Sequence, residues 1–152
     1  MELRVSLANF WDYRYAMLNG AKELKKECDV ILRRYSEAAA STASRLAPKR
    51  TGRLAASIRS KREGEMSYSV GSELSYAKFV EYGTGPHIIR PVSAKALAFT
   101  VGASRVFAKV VNHPGSREKP FLRPAFKEIE HRLKSELVAK AEELFRLKFR
   151  FR

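Results

Sequence analysis

The stretch AKELKKECDVILRRYSEAAASTASRL occupies residues 21–46 and is followed closely by Pro48. Ala21, Leu24, Cys28, Ile31, Tyr35, Ala38 and Thr42 recur within it at steps of three and four, which predicts one apolar seam along a helix. Lys22, Glu23, Lys25, Lys26, Asp29, Arg33, Arg34 and Glu37 fill most other positions and read as a solvated face. Pro48 ends the helix, because the residue before a proline is biased away from helical geometry. Asn19-Gly20 marks a break before it, so residues 8–18 form either a separate short helix or the first turns of a kinked one. About 26 helical residues span ~39 Å. A compact chain of this length has a diameter near 38 Å, so the helix crosses the whole body or projects from it.

Outward from that helix the pattern changes. Residues 54–62 and 67–70 read as strands around a turn at Glu63-Gly64-Glu65. Residues 76–82 carry Tyr76, Phe79 and Val80 at helical spacing and precede Gly83, which predicts a short helix with a glycine cap. Three further strands are expected at 87–89, 96–101 and 106–111, then a long connection from His113 to Pro120. A second helix begins at Pro124, with Phe126, Ile129, Leu133, Leu137, Ala141 and Leu144 on its seam. The expected class is therefore α+β: a long N-terminal helix, a small antiparallel sheet with a short helix, and a C-terminal helix packed on the sheet. Residues 1–20 are read as an N-terminal extension and 21–152 as one domain.

The chain has 152 residues, with 30 Lys and Arg against 16 Asp and Glu, a net charge of +14. Such an excess calls for an acidic partner: nucleic acid, an anionic surface or an acidic neighbouring subunit. The charge is spread along the sequence, with one local peak at Lys49, Arg50, Arg53, Arg59, Lys61 and Arg62. Hydrophobic residues make up 45%, enough to build a core. No apolar run reaches the ~20 residues of a membrane helix, and the N-terminus does not read as a signal peptide. A single cysteine, Cys28, excludes an internal disulfide, and its place on the seam makes it a small buried hydrophobe.

Catalysis finds little support. His87 and His113 each stand near a proline in loops, and His131 lies on an exposed helical face. There is no HExxH, GxSxG or P-loop, and no Cys/His cluster with zinc spacing. No catalytic residue, metal or cofactor is expected. Nucleic-acid binding is the alternative: a small basic module gripping phosphates with Lys49-Arg50-Thr51-Gly52-Arg53, and stacking bases on the aromatic-basic end Phe145-Arg146-Leu147-Lys148-Phe149-Arg150-Phe151-Arg152. No recognised nucleic-acid motif accompanies these features.

Three loops stand out for their Pro and Gly content. They are Ala47-Pro48-Lys49-Arg50-Thr51-Gly52-Arg53-Leu54, Tyr82-Gly83-Thr84-Gly85-Pro86, and the run from His113-Pro114-Gly115 to Pro120-Phe121-Leu122-Arg123-Pro124. Stiff connections of this kind are either ordinary turns or docking surfaces, where a preordered loop loses less entropy on binding. Their motifs also carry a resemblance. Ala47-Pro48-x-x-Thr51-Gly52-x-Leu54-x-x-Ser57-Ile58 is similar to the opening signature of a bacteriophage minor tail component family. Residues 76–85, YAKFVEYGTG, resemble its central signature. Lys95-Ala96-Leu97-Ala98-Phe99, His113-Pro114-Gly115 and residues 119–126, KPFLRPAF, resemble its closing one.

The resemblance implies a non-enzymatic virion protein, a neck or tail-completion component of a long-tailed phage, assembled in the host cytoplasm. It implies a homo-oligomeric ring, six- or twelve-fold, at the head–tail junction, touching head-closure and tail-terminator proteins, with DNA in the channel as a further partner. The interface residues expected on this basis are Lys49, Arg50, Thr51, Gly52, Arg53, Tyr82, Gly83, Thr84, Gly85, Pro86, His113, Pro114, Gly115, Phe121 and Arg123. Phe121 and Phe126 are also expected to serve the core. Residues 1–18, with Trp11, Tyr13 and Tyr15, and the Phe-Arg-Phe-Arg end depart from the family pattern.

Overall fold

A computed structural model describes the backbone of residues 7–148 and the side-chain burial of residues 18–146. The fold is α+β. Its elements run α1 (Leu7–Leu46), α2 (Arg53–Ser57), β1 (Ile58–Gly64), β2 (Ser67–Ser72), α3 (Ala77–Tyr82), β3 (His87–Ile89), β4 (Leu97–Val101), β5 (Ser104–Ala108), β6 (Val111–His113) and α4 (Leu122–Lys148). They separate into two compact units, residues 1–73 with 121–152, and residues 74–120.

In the first unit, α1 runs through Asn19-Gly20 without a break, so the expected interruption is absent. One glycine costs a helix only about 1 kcal/mol, which the many good helix formers around it outweigh. At 40 residues the helix is about 60 Å long. Its buried face is Cys28, Ile31, Ser36, Ala39, Ala40, Thr42 and Ala43, continued by Ala47 just past its end; Cys28, Ile31 and Thr42 are as expected, while Ser36 and Ala39 stand in for Tyr35 and Ala38. Ala21 and Ala38 are exposed. Ala39 and Ala43 are fully buried and Ala47 nearly so, and such small side chains let neighbouring backbone approach closely.

The principal partner of α1 is α4, which contributes buried Ala125, Ile129 and Leu144. Pro124 falls in the first turn of α4, where backbone N–H groups have no helical acceptor. The β1–β2 hairpin and α2 also rest on α1. Phe121 is fully buried as expected. Phe126 is 45% exposed and so is not a core residue. It borders a groove of about 340 Å³ between α1, β2 and α4, whose lining includes Leu32, Val70, Ile129 and Leu133.

Residues 53–57 form a helical turn where a strand was expected, and extended backbone starts only at Ile58. Period-2 alternation over so short a run did not distinguish the two. The β1–β2 turn is Glu65-Met66, which shares only Glu65 with the expected Glu63-Gly64-Glu65, and the register shifts between Arg62 and Gly64. Met66 carries φ 53°, a left-handed conformation uncommon for a non-glycine residue. Asp29 of α1 holds it there. Its carboxylate accepts hydrogen bonds from the Met66 N–H at 3.2 Å, the Tyr68 hydroxyl at 3.2 Å and the Arg62 guanidinium at 3.1 Å. Asp29 therefore anchors a hairpin instead of belonging to a solvated face.

The second unit contains the expected short helix α3 and two antiparallel pairs. β3 pairs with β6, placing His87 opposite His113, and β4 pairs with β5. The strand expected at 106–111 is in fact two, β5 and β6, belonging to different sheets. All three sheets of the described residues are two-stranded. The β4–β5 turn is Gly102-Ala103, with Gly102 at φ 61°, the position where a type II′ turn requires glycine.

Candidate interaction surface

The first of the three loops joins α1 to α2. Ala47 at one end and Leu54 and Ile58 at the other are almost completely buried. Gly52 takes φ 72° at the start of α2, and its carbonyl accepts the Ala56 N–H at 2.9 Å. Serine hydroxyls tie the frame together: Ser44 donates to the Ala55 carbonyl and Ser57 to the Leu54 carbonyl, each at 2.7 Å, and Ser57 and Ser72 lie 2.7 Å apart. The motif residues Ala47, Gly52, Leu54, Ser57 and Ile58 thus build the frame. Lys49, Arg50, Thr51 and Arg53 stand exposed on it. None of the three cations has an ion pair among the described residues. The frame fixes the loop and the intervening cations face solvent.

The second and third loops meet within the second unit. Thr84 and Ser116 form an antiparallel bridge, each N–H donating to the other's carbonyl at 3.0 Å. The Ser116 N–H also reaches the Thr84 hydroxyl at 2.9 Å, and the two hydroxyls are 3.0 Å apart. The His87 and His113 rings lie 5.0 Å apart at 32°. His87 Nδ1 meets the Gly85 carbonyl and the Gly115 N–H donates to His113 Nδ1, both at 3.0 Å. The Lys119 N–H closes the crossing on the Val80 carbonyl at 2.8 Å.

Two glycines make this crossing possible. Gly83 has φ 71°, and a Cβ there would come within 2.5 Å of the Ser116 carbonyl oxygen. Gly115 has φ 91°, and a Cβ there would strike the Thr84 carbonyl oxygen. Their first duty is therefore to let two chain segments touch. Tyr82 is exposed, Pro86 and Pro114 are exposed, and Gly83, Thr84, His113 and Gly115 are half-buried. In the first unit, Phe121 is enclosed while Arg123 is exposed. His131 is exposed and Cys28 buried, as expected. The Phe149–Arg152 end lies outside the described residues.

With the loops described, similarity to known proteins adds a specific finding. Residues 18–83 match the family model described as "Bacteriophage HK97-gp10, putative tail-component". It is a phage tail family. The match takes in α1 from Leu18 onward, the Ala47–Ile58 motif, and α3 as far as Gly83. The closing blocks, from Lys95 to Phe126, lie beyond it. No curated protein and no solved structure matches the chain. A tail-component family supports a structural role in a phage particle. Among the described residues, no helix is long and apolar enough to cross a membrane.

The sequence missed the β4–β5 hairpin as a surface. Phe99, Val101 and Phe107 are 38%, 60% and 65% exposed. The signal was present in the alternation of residues 97–108, which carries apolar residues on both faces of the hairpin.

Proposed function

We propose that this chain is a non-enzymatic structural component at the head–tail junction of a phage particle. It forms a six- or twelve-fold ring that joins the tail to the DNA-filled head, next to head-closure and tail-terminator proteins. The reading is carried by one observation: Lys49, Arg50 and Arg53 stand exposed and unpaired on a loop whose ends are locked by buried Ala47, Leu54 and Ile58, within the segment that matches the tail family. Such a preordered cationic loop can meet an acidic neighbour without losing loop entropy. A subunit of +14 repels its copies at close range, so ring closure awaits a partner that compensates the charge. Thr51, Gly52, Tyr82, Gly83, Thr84, Gly85, Pro86, His113, Pro114, Gly115 and Arg123 are assigned to the loops at or beside these contacts. Phe121 is fully buried and serves the core of the first unit.

Quantitative mass spectrometry of density-purified particles tests this directly. The expected result is the chain in a six- or twelve-fold ratio to the particle. Its absence from particles overturns the reading. Charge reversal of Lys49, Arg50 and Arg53 to Glu should abolish head–tail joining and leave stability within about 0.5 kcal/mol, as for exposed substitutions. If the same residues instead grip DNA, binding to random duplex falls with salt at a log–log slope of about 0.9 per phosphate contacted.

A further inference from the structure

The second unit exposes apolar side chains that a self-sufficient hairpin would cover. β4 and β5 pair in the register Leu97–Ala108, Phe99–Val106 and Val101–Ser104. Because side chains alternate across a strand, Leu97, Phe99, Val101, Val106 and Ala108 share one face. Arg105, Phe107 and Lys109 fall on the other, where the Arg105 guanidinium lies 5.5 Å from the Phe107 ring centroid. Neither strand pairs with a third. An isolated two-stranded hairpin is at best marginally stable in water, so this one gains by docking.

Charge identifies the occupant. From residue 82 to residue 117 there are five basic residues, Arg90, Lys95, Arg105, Lys109 and Arg117, and no Asp or Glu. Arg90, Lys95, Arg105 and Lys109 make no ion pair among the described residues. A hairpin with one apolar face and cations on the other fits a groove that has one apolar wall and one wall bearing carboxylates. A second copy fits poorly, since it brings the same +14 charge. Nucleic acid would neutralise the cations, but Leu97, Val101, Val106 and Ala108 cannot stack on bases and gain nothing against phosphates.

We propose that the β4–β5 hairpin is a docking arm that inserts into a groove of a different protein, with its Leu97–Phe99–Val101 face on an apolar wall and its Arg105–Lys109 face on a wall bearing Asp and Glu. This gives the partner's chemistry for the virion role above, and it rests on that role for where the partner is sought. The arm is distinct from the three loops: it needs aliphatic burial as well as charge, so its occupant must offer both.

The test places a photo-reactive benzophenone amino acid at Val101 of the full chain, in cells assembling particles, with Val138 on α4 as the exposed control position. Adducts are identified by mass spectrometry, separately in purified particles and in the remaining lysate. The expected product is an adduct at position 101 to an Asp/Glu-bearing segment of another protein. Arg105→Glu with Lys109→Glu should lower its yield about tenfold, in line with reversed charges at an interface. Exchanging the identified partner carboxylates for Lys should restore it. Arg105→Gln with Lys109→Gln supplies the same comparison at smaller amplitude should the double reversal unfold.

An adduct to a second copy, an adduct to nucleic acid, a yield no greater than at Val138, or a yield indifferent to the charge changes would each overturn the proposal. The two readings fail separately. Presence in particles without the acidic-protein adduct defeats the arm and leaves the virion role. Absence from particles with that adduct in the lysate defeats the virion role and leaves the arm.

Discussion

The two units of this chain use different means to hold their shape. The first buries Ile31, Ala39, Ala43, Leu54, Ile58, Phe121, Ala125 and Ile129, a continuous set of side chains along two long helices and a hairpin. In the second, Ala77 is the one buried apolar residue among those described, while Tyr76, Phe79, Ile88, Val101, Phe107 and Val110 are exposed. What orders the second unit is backbone geometry: turns, a two-residue bridge and two glycines whose missing Cβ atoms admit a neighbouring strand. A side-chain core resists single truncations outside it. A backbone crossing depends on a few positions and tolerates almost anything elsewhere.

The largest expected effect tests the first half of that contrast. Phe121→Ala removes a side chain with no solvent exposure and should cost about 3–5 kcal/mol in urea-induced unfolding. A loss under about 1 kcal/mol would mean the site collapses freely and the core is not close-packed. Next comes Gly115→Ala, which forces a left-handed φ on a residue with a Cβ and drives that Cβ into the Thr84 carbonyl. A cost of about 1–3 kcal/mol is expected. Its signature is loss of hydrogen-exchange protection at the Thr84 and Ser116 amides, with that of α1 retained. Uniform loss across both units would erase the distinction between them.

A smaller effect sharpens the contrast from the other side. Phe107→Ala removes a side chain as large as that of Phe121, yet 65% of it is exposed. The isolated protein should lose no more than about 0.5 kcal/mol, as surface positions do. If Phe107→Ala costs as much as Phe121→Ala, the hairpin has a core of its own and has no need of an occupant.

The same difference explains what could be read from sequence. The two long helices, α3, and strands β2, β3 and β4 were legible because period and punctuation agree there. Cys28 and Ile129 were legible as core for the same reason. Phe126 was not: it continues the heptad-like spacing of α4 but borders an open groove, and spacing alone cannot tell a seam's centre from its edge. Asp29 looked like any charged residue on a solvated face. Its role comes from a hairpin whose turn is more than 30 residues away in sequence, a relation that no local pattern encodes. Of the candidate surface, the loops were marked by Pro and Gly, and the structure supplies the reason for two of those glycines. The β4–β5 arm was passed over because alternating apolar residues announce a strand and do not say whether anything covers it.

The smallest effect concerns the outer rim of the first unit, where Glu136 of α4 accepts hydrogen bonds from Arg34 and from the Tyr35 hydroxyl of α1, the latter at 3.0 Å. The hydrogen bond from Arg34, then that from Tyr35, holds the Glu136 carboxyl below its ordinary value of 4.5. A carboxyl depressed in the folded state adds stability that is fully present above its ordinary value and disappears as pH falls through the depressed one. The phenol of Tyr35 is shifted the opposite way, raised above 10.0 chiefly by its bond to Glu136, so its part is intact below that value and lost as pH climbs through the raised one. The α1–α4 rim is therefore strongest on a plateau between these limits. Glu136→Gln removes the charge and retains an acceptor. Urea midpoints of the two proteins should differ on the plateau and converge under acid, with the gap shrinking at high salt because the group is exposed. Parallel midpoint curves down to the acid limb would show that the helices are held by their alanine-lined seam alone.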